Sequence, residues 1–248
     1  MFLGEPPRTP YDLHFALFGI PVRVHPFFWV IGLILGMNSP NLQQMLVWIA
    51  ALFVAILVHE LGHAIAMRAY GYQPWVTLYG LGGLTAYNQG AYGSRRGGTW
   101  EQIAISAAGP GAGFIFAAVI ALALMLARHR VEVQIGLPYG FSVWAVDLPS
   151  PLLSSLVNAL LFISITWGII NLLPVYPLDG GQISRELFLL VNVREGIRIS
   201  LMLSLATAAF LAVFGLLQWR SPFMAIMFGY FAYSSYAILQ AYGNQRPW

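Results

Sequence analysis

The chain has 248 residues, 58% of them hydrophobic and only 8% charged. A water-soluble domain carries about 25% charged residues, so this composition excludes one and marks an integral membrane protein. The net charge of +3 rests on twelve scattered arginines with no lysine, which excludes a nucleic-acid-binding patch, and the absence of cysteine excludes disulfides and thiolate metal sites.

Residues 1–15 (MFLGEPPRTPYDLHF) carry prolines and acids where a signal peptide needs a basic start and an unbroken apolar core, so no cleaved signal is expected. Apolar runs then predict six spans, at about 26–37, 43–67, 102–127, 152–173, 199–218 and 222–241, the first of them short. The expected fold class is an α-helical polytopic membrane protein, with one membrane-embedded domain over residues 1–248. Connections are short except 68–101 and 128–151, and neither a repeat nor a low-complexity tract interrupts the chain.

Residues 72–92 differ from their surroundings. Pro74-Trp75-Val76-Thr77-Leu78-Tyr79 is rich in strand formers, and Gly80, Gly82 and Gly83 separate it from Leu84-Thr85-Ala86-Tyr87. A small membrane-associated β-hairpin or re-entrant loop fits this pattern; an ordinary amphipathic loop is the plainer reading.

The arginines set an orientation. With the N-terminus inside, Arg8, Arg23, Arg68, Arg95, Arg96, Arg185, Arg194, Arg198 and Arg246 are cytoplasmic, against Arg128, Arg130 and Arg220 outside. Both ends then lie in the cytoplasm, as an even number of spans requires.

The chemistry is concentrated at His59-Glu60-Leu61-Gly62-His63, directly after the apolar run 45–58 (MLVWIAALFVAILV). Ionisable groups in hydrocarbon are costly without partners. On a helix His59 and His63 are i and i+4, on one face, the spacing that two ligands of one zinc ion need, and Glu60 stands beside that face within reach of a water. Two interfacial histidines and a solvated glutamate are the alternative, and the position at the end of an apolar span weighs against it. A catalytic zinc takes three protein ligands and keeps a fourth position open. His14, His25 and His129 lie near span ends or in the tail. Asp179, in Asn171-Leu172-Leu173-Pro174-Val175-Tyr176-Pro177-Leu178-Asp179-Gly180-Gly181, is the better candidate, because two prolines and two glycines break the helix there. Read alone, Asp179 serves equally well as a turn residue before Gly180. Small residues four apart in Gly109-Pro110-Gly111-Ala112-Gly113 suit close helix packing.

Together, the His59 to His63 motif and the segment from Asn171 to Gly181 resemble the site-2 protease family of intramembrane zinc metalloproteases. Gly19-Ile20-Pro21-Val22-Arg23-Val24-His25, Leu81-Gly82-Gly83 and Ala107-Ala108-Gly109-Pro110 resemble it too, in family order over about residues 19–187. The spans at 199–241 carry no motif. The resemblance implies one zinc ion held by His59, His63 and Asp179, with Glu60 as catalytic glutamate and Asn171 near the bound substrate; satisfying carbonyls freed by Pro174 is the other reading of Asn171. It also implies that residues 72–92 hold an unwound transmembrane substrate as an added strand. Nothing resembles the PDZ or CBS modules many members carry, so regulation is expected through membrane partners, lipids or another chain.

The expected activity is therefore a zinc endopeptidase cutting membrane-anchored proteins by regulated intramembrane proteolysis, in the cell (inner) membrane with its site towards the cytoplasm. A metal-ion transporter, or an inactive membrane scaffold, would use the same residues. One compact cluster without a repeat argues against the first, and the presence of Glu60 with all three ligands argues against the second.

Overall fold

The computed structural model describes residues 5–80, 82–88, 97–136 and 140–244. The chain divides into two compact units, residues 1–95 with 108–169, and residues 96–107 with 170–248.

The first unit opens with two short strands, β1 (Leu13–Leu17) and β2 (Ile20–Val24), then the helices α1 (Pro26–Gly36) and α2 (Leu42–Ala69). Strands β3 (Gln73–Tyr79) and β4 (Gly82–Asn88) form the hairpin expected near residues 72–92, of which 81 and 89–92 lie outside the described residues. The hairpin does not stand alone. β2 pairs with β3 in parallel, Val22 against Val76 and Val24 against Leu78, giving a four-stranded sheet in the order β1-β2-β3-β4. Alternation explains its faces. Ile20, Val22, Val24, Val76 and Leu78 are buried together with Ala51, Leu52, Ala55 and Ile56 of α2.

The parallel pair has a consequence for topology. The β1–β2 turn lies at the C-terminal end of α2, where Arg68 donates to the Phe18 carbonyl, so β2 and β3 run back along α2, and α1 continues in that direction with Phe28 beside Phe53 and Gly36 beside Met45. Among the described residues, five helices are long and apolar enough to cross a membrane, and α1, with 11 residues, is not one of them. Eleven helical residues rise about 16 Å, about half of a hydrocarbon core of about 30 Å. Residues 37–41 form turns, with the Met37 and Ser39 N–H groups donating to the Ile34 and Gly36 carbonyls, and they lead directly from α1 into α2. The apolar span expected at 26–37 is thus a short helix, below the length that crosses a membrane by itself.

Next come α3 (Thr99–Leu126), β5 (Arg130–Gly136), β6 (Gly140–Val146) and α4 (Pro151–Asn171). The long connection at 128–151 is therefore a second hairpin. Its β6 strand is fastened to α4 through Asn158, which accepts from Ala145 N–H at 2.7 Å and donates to the Ala145 carbonyl at 3.2 Å. Val143 and Ala145 pack with Ala117, Leu161 and Ile165.

The second unit contains α5 (Asp179–Val191), α6 (Gly196–Leu217) and α7 (Pro222–Asn244). Val175, Ala208, Phe228 and Phe231 form its core. Ser204 of α6 accepts the Tyr176 N–H at 2.7 Å and lies 2.8 Å from the Ser235 hydroxyl of α7, so both helices brace the segment that precedes Asp179. This gives the last two spans, which carry no motif, a structural task.

Arg23, counted above among the cytoplasmic arginines, is buried. It is only 6% exposed, paired with Glu5 and Asp12 at 3.0 Å each, and it donates to the Pro6 carbonyl at 2.8 Å. Glu5 also accepts from the buried Thr77 hydroxyl at 2.8 Å, so residues 5–12 cover the sheet face opposite α2. With its charge neutralised internally, Arg23 no longer informs orientation. Arg95, Arg96 and Arg246 lie outside the described residues. Asp12 is held down to about 2, first by the Thr9 hydroxyl and also by the Thr9 backbone N–H and Arg23. A carboxylate depressed in the folded state stabilises above its unfolded pKa, near 3.8, and loses that contribution as pH falls towards 2. Thermal unfolding in detergent should therefore show a wild-type advantage over Asp12→Asn that is constant above about pH 5 and shrinks between about pH 4 and pH 2; an advantage independent of pH would contradict the ion-paired role.

Candidate metal centre

Helix α2 carries His59, Glu60 and His63 in its second half, where they are 3%, 5% and 7% exposed. The 3.6-residue repeat stacks the two imidazoles on one face. Their Nε2 atoms are 3.2 Å apart, with the rings nearly perpendicular at 77°. Two nitrogens bound to one tetrahedral zinc at about 2.0–2.1 Å stand roughly 3.3 Å apart. The pair therefore fits a zinc ion without rearrangement, and without an ion the same distance suits an N–H···N hydrogen bond.

Backbone closes around these side chains because two glycines permit it. A Cβ on Gly109 of α3 would lie 2.1 Å from His63 Nε2. A Cβ on Gly83 of β4 would lie 2.2 Å from Glu60 Cγ and 2.5 Å from Oε1. The Glu60 carboxylate also accepts a hydrogen bond from the Thr85 hydroxyl at 2.7 Å. Gly109 thus serves the site itself, while Ala112 against Gly62 and Gly113 against the Ser164 carbonyl make the close helix packing expected of small residues. Sequence reasoning did not single out Thr85, although its place two residues after Gly83 on a strand puts both on one face.

In the second unit, Asn171 is buried as the last residue of α4, and Asp179 is the first residue of α5, half-buried. The prolines end α4 as expected. The glycines do not break a helix: Gly180 and Gly181 lie inside the first turn of α5, where a Cβ would come within 2.1 Å of the Leu172 carbonyl oxygen and 2.6 Å of the Val175 backbone. They let the returning segment fold tightly onto the helix start, whose exposed N–H groups favour a carboxylate at Asp179.

The other histidines serve the backbone. His14 and His129 contact the Asp12 and Asp147 carbonyls at 3.1 Å, and His25 caps α1 by accepting from Phe27 N–H. His59, Glu60 and His63 are the expected site residues that the first unit brings together.

A buried helix bearing HExxH inside a polytopic helical frame defines the class of membrane-embedded metalloproteases. Residues 47–214 match the model of Peptidase family M50. The chain belongs to that family. It is 27% identical over 201 residues to a Synechocystis protein named as a zinc metalloprotease, covering 75% of this chain and 46% of that one. It is 27% identical over 179 residues to a zinc metalloprotease of Methanocaldococcus jannaschii, covering 70% of this chain and 44% of the relative. These matches span less than half of either relative. The fold is similar to that of the site-2 protease of Methanocaldococcus jannaschii, with a TM-score of 0.57 and 21% identity over 92% of this chain and 95% of that one.

Gly109→Ala should drive His63 out of place and cut the zinc retained after purification, whereas Gly111→Ala, with nothing within 4 Å of its added methyl, should leave zinc unchanged. Equal zinc in both variants would show that the close approach at Gly109 does not shape the site.

Proposed function

We propose that the protein is an intramembrane zinc endopeptidase that cleaves membrane-anchored proteins, with its two units acting as one catalytic domain. The observation that carries this reading is the buried pair of imidazole nitrogens at 3.2 Å, with Glu60 beside them on the same helix. His59 and His63 would hold one zinc ion, and Asp179 would complete the ligand set. A carboxylate with two histidines is an established donor set for catalytic zinc. Zinc, when bound, polarises a carbonyl and lowers the pKa of a coordinated water towards about 7.

This chain's residues supply the remainder. Glu60 takes a proton from the attacking water and returns it to the departing amine as the peptide bond breaks. Asn171 binds the substrate backbone. Strand β4 ends the sheet, with no strand beyond it among the described residues. An unwound substrate would add to that edge and gain the main-chain hydrogen bonds that lipid cannot supply. A transmembrane helix must open before cleavage, so residues that weaken helices should mark good substrates. The excess of cytoplasmic arginines supports a site towards the cytoplasm in the cell membrane.

The test uses the full chain in detergent micelles and a synthetic single-span peptide with a central Gly-Pro pair. Wild type should cut it. Glu60→Gln should retain zinc and lose cleavage by on the order of a thousandfold or more. Asp179→Ala should lower the zinc content itself. Cleavage by Glu60→Gln would remove Glu60 as the base, and unchanged zinc in Asp179→Ala would place the third ligand elsewhere. Zinc at one per chain with no cleavage would favour the scaffold reading.

A further inference from the structure

The reading above leaves open what aims Glu60. A glutamate side chain has three rotatable bonds, and a base must lie within hydrogen-bond reach of its proton. The geometry of β4 answers this. Gly83 and Thr85 are two residues apart on the strand and so project from the same face. Gly83, lacking a Cβ, lets the Glu60 side chain lie directly over its backbone, with Oε1 2.5 Å from where that Cβ would be. Thr85 Oγ1 reaches Oε2 at 2.7 Å and the Glu60 carbonyl oxygen at 3.1 Å. One hydroxyl hydrogen serves both acceptors, and the shorter contact, to the side-chain oxygen, takes the stronger bond. The carboxylate is therefore fixed at two points by one strand.

We propose that Thr85 is the positioning residue of the catalytic base: its hydroxyl holds the Glu60 carboxylate in the orientation that proton transfer requires. The inference rests on the proposed protease activity. It also places base orientation on the edge strand to which a substrate would add, so a peptide bound to β4 and the base that attacks it share one frame. Threonine is suited to the post because a β-branched residue favours the strand while its hydroxyl supplies the donor. Valine keeps the shape and removes the donor; serine keeps the donor and removes the methyl.

Two arms test this on the full chain, with the same single-span Gly-Pro peptide as substrate. In the kinetic arm, Thr85→Val should lower kcat about ten- to a hundredfold, the range expected for a hydrogen bond to a charged group, and leave KM within about twofold. Zinc content should not change, Thr85→Ser should recover most of kcat, and Thr85→Val added to Glu60→Gln should cost nothing further. Wild-type kcat in Thr85→Val, a loss confined to KM, or a serine variant as impaired as the valine variant would each overturn the assignment. In the second arm the metal-free protein is used, and the Glu60 carboxylate bands are isolated as the infrared difference between wild type and Glu60→Gln. These bands should shift in Thr85→Val and stay in place in Thr85→Ser; no shift in the valine variant overturns the hydrogen bond. If wild type cuts no peptide, the protease reading fails, and the infrared arm still decides Thr85.

Discussion

A hydrolytic site in a membrane must keep ionisable groups where lipid offers neither donor nor acceptor. His59, Glu60 and His63 are each less than a tenth exposed on a helix that is otherwise apolar from Met45 to Met67, so every compensating contact has to come from protein. The imidazoles face one another across 3.2 Å, and the carboxylate takes the Thr85 hydroxyl. These contacts require neighbouring backbone to come closer than a side chain would allow, which accounts for glycine at 83 and 109. The alternative, an unpaired buried carboxylate, would cost several kcal/mol.

The sheet exists in this form because of the same demand. Strand β4 can hold Glu60 only if it is itself fixed against α2, and it is fixed through β3, which β2 binds in parallel. β2 in turn is secured from both faces, by apolar packing on α2 and by the Arg23 network with Glu5 and Asp12. In the second unit the logic recurs: Ser204, itself bonded to Ser235, accepts the Tyr176 N–H that a helix would otherwise have bonded, and this holds the turn that precedes Asp179.

How much of this could be read from the chain depends on the sequence distance over which each feature acts. The spacing of His59 and His63 is local, so one helical repeat sufficed to place them on one face. Hydropathy located the five long spans, and the glycines between Tyr79 and Leu84 signalled the β3–β4 hairpin. The parallel β2–β3 pair joins residues about fifty apart, and no local pattern announces it. Arg23 looked like a loop cation because its partners, Glu5 and Asp12, act through folding and not through spacing. The β5–β6 hairpin was legible in principle, since Val131, Val133 and Ile135 alternate with polar residues. Gly180 and Gly181 read as helix breakers, yet their role is close packing inside a helix, a distinction that composition alone does not carry.

The central claim is a zinc ion held by two imidazoles and a carboxylate. X-ray absorption at the zinc edge of the purified full chain tests it most directly. The account predicts four-coordinate zinc with two imidazole nitrogens at about 2.0–2.1 Å, the remaining ligands being oxygen, and no sulfur. A shell with one imidazole, or with three, would contradict it.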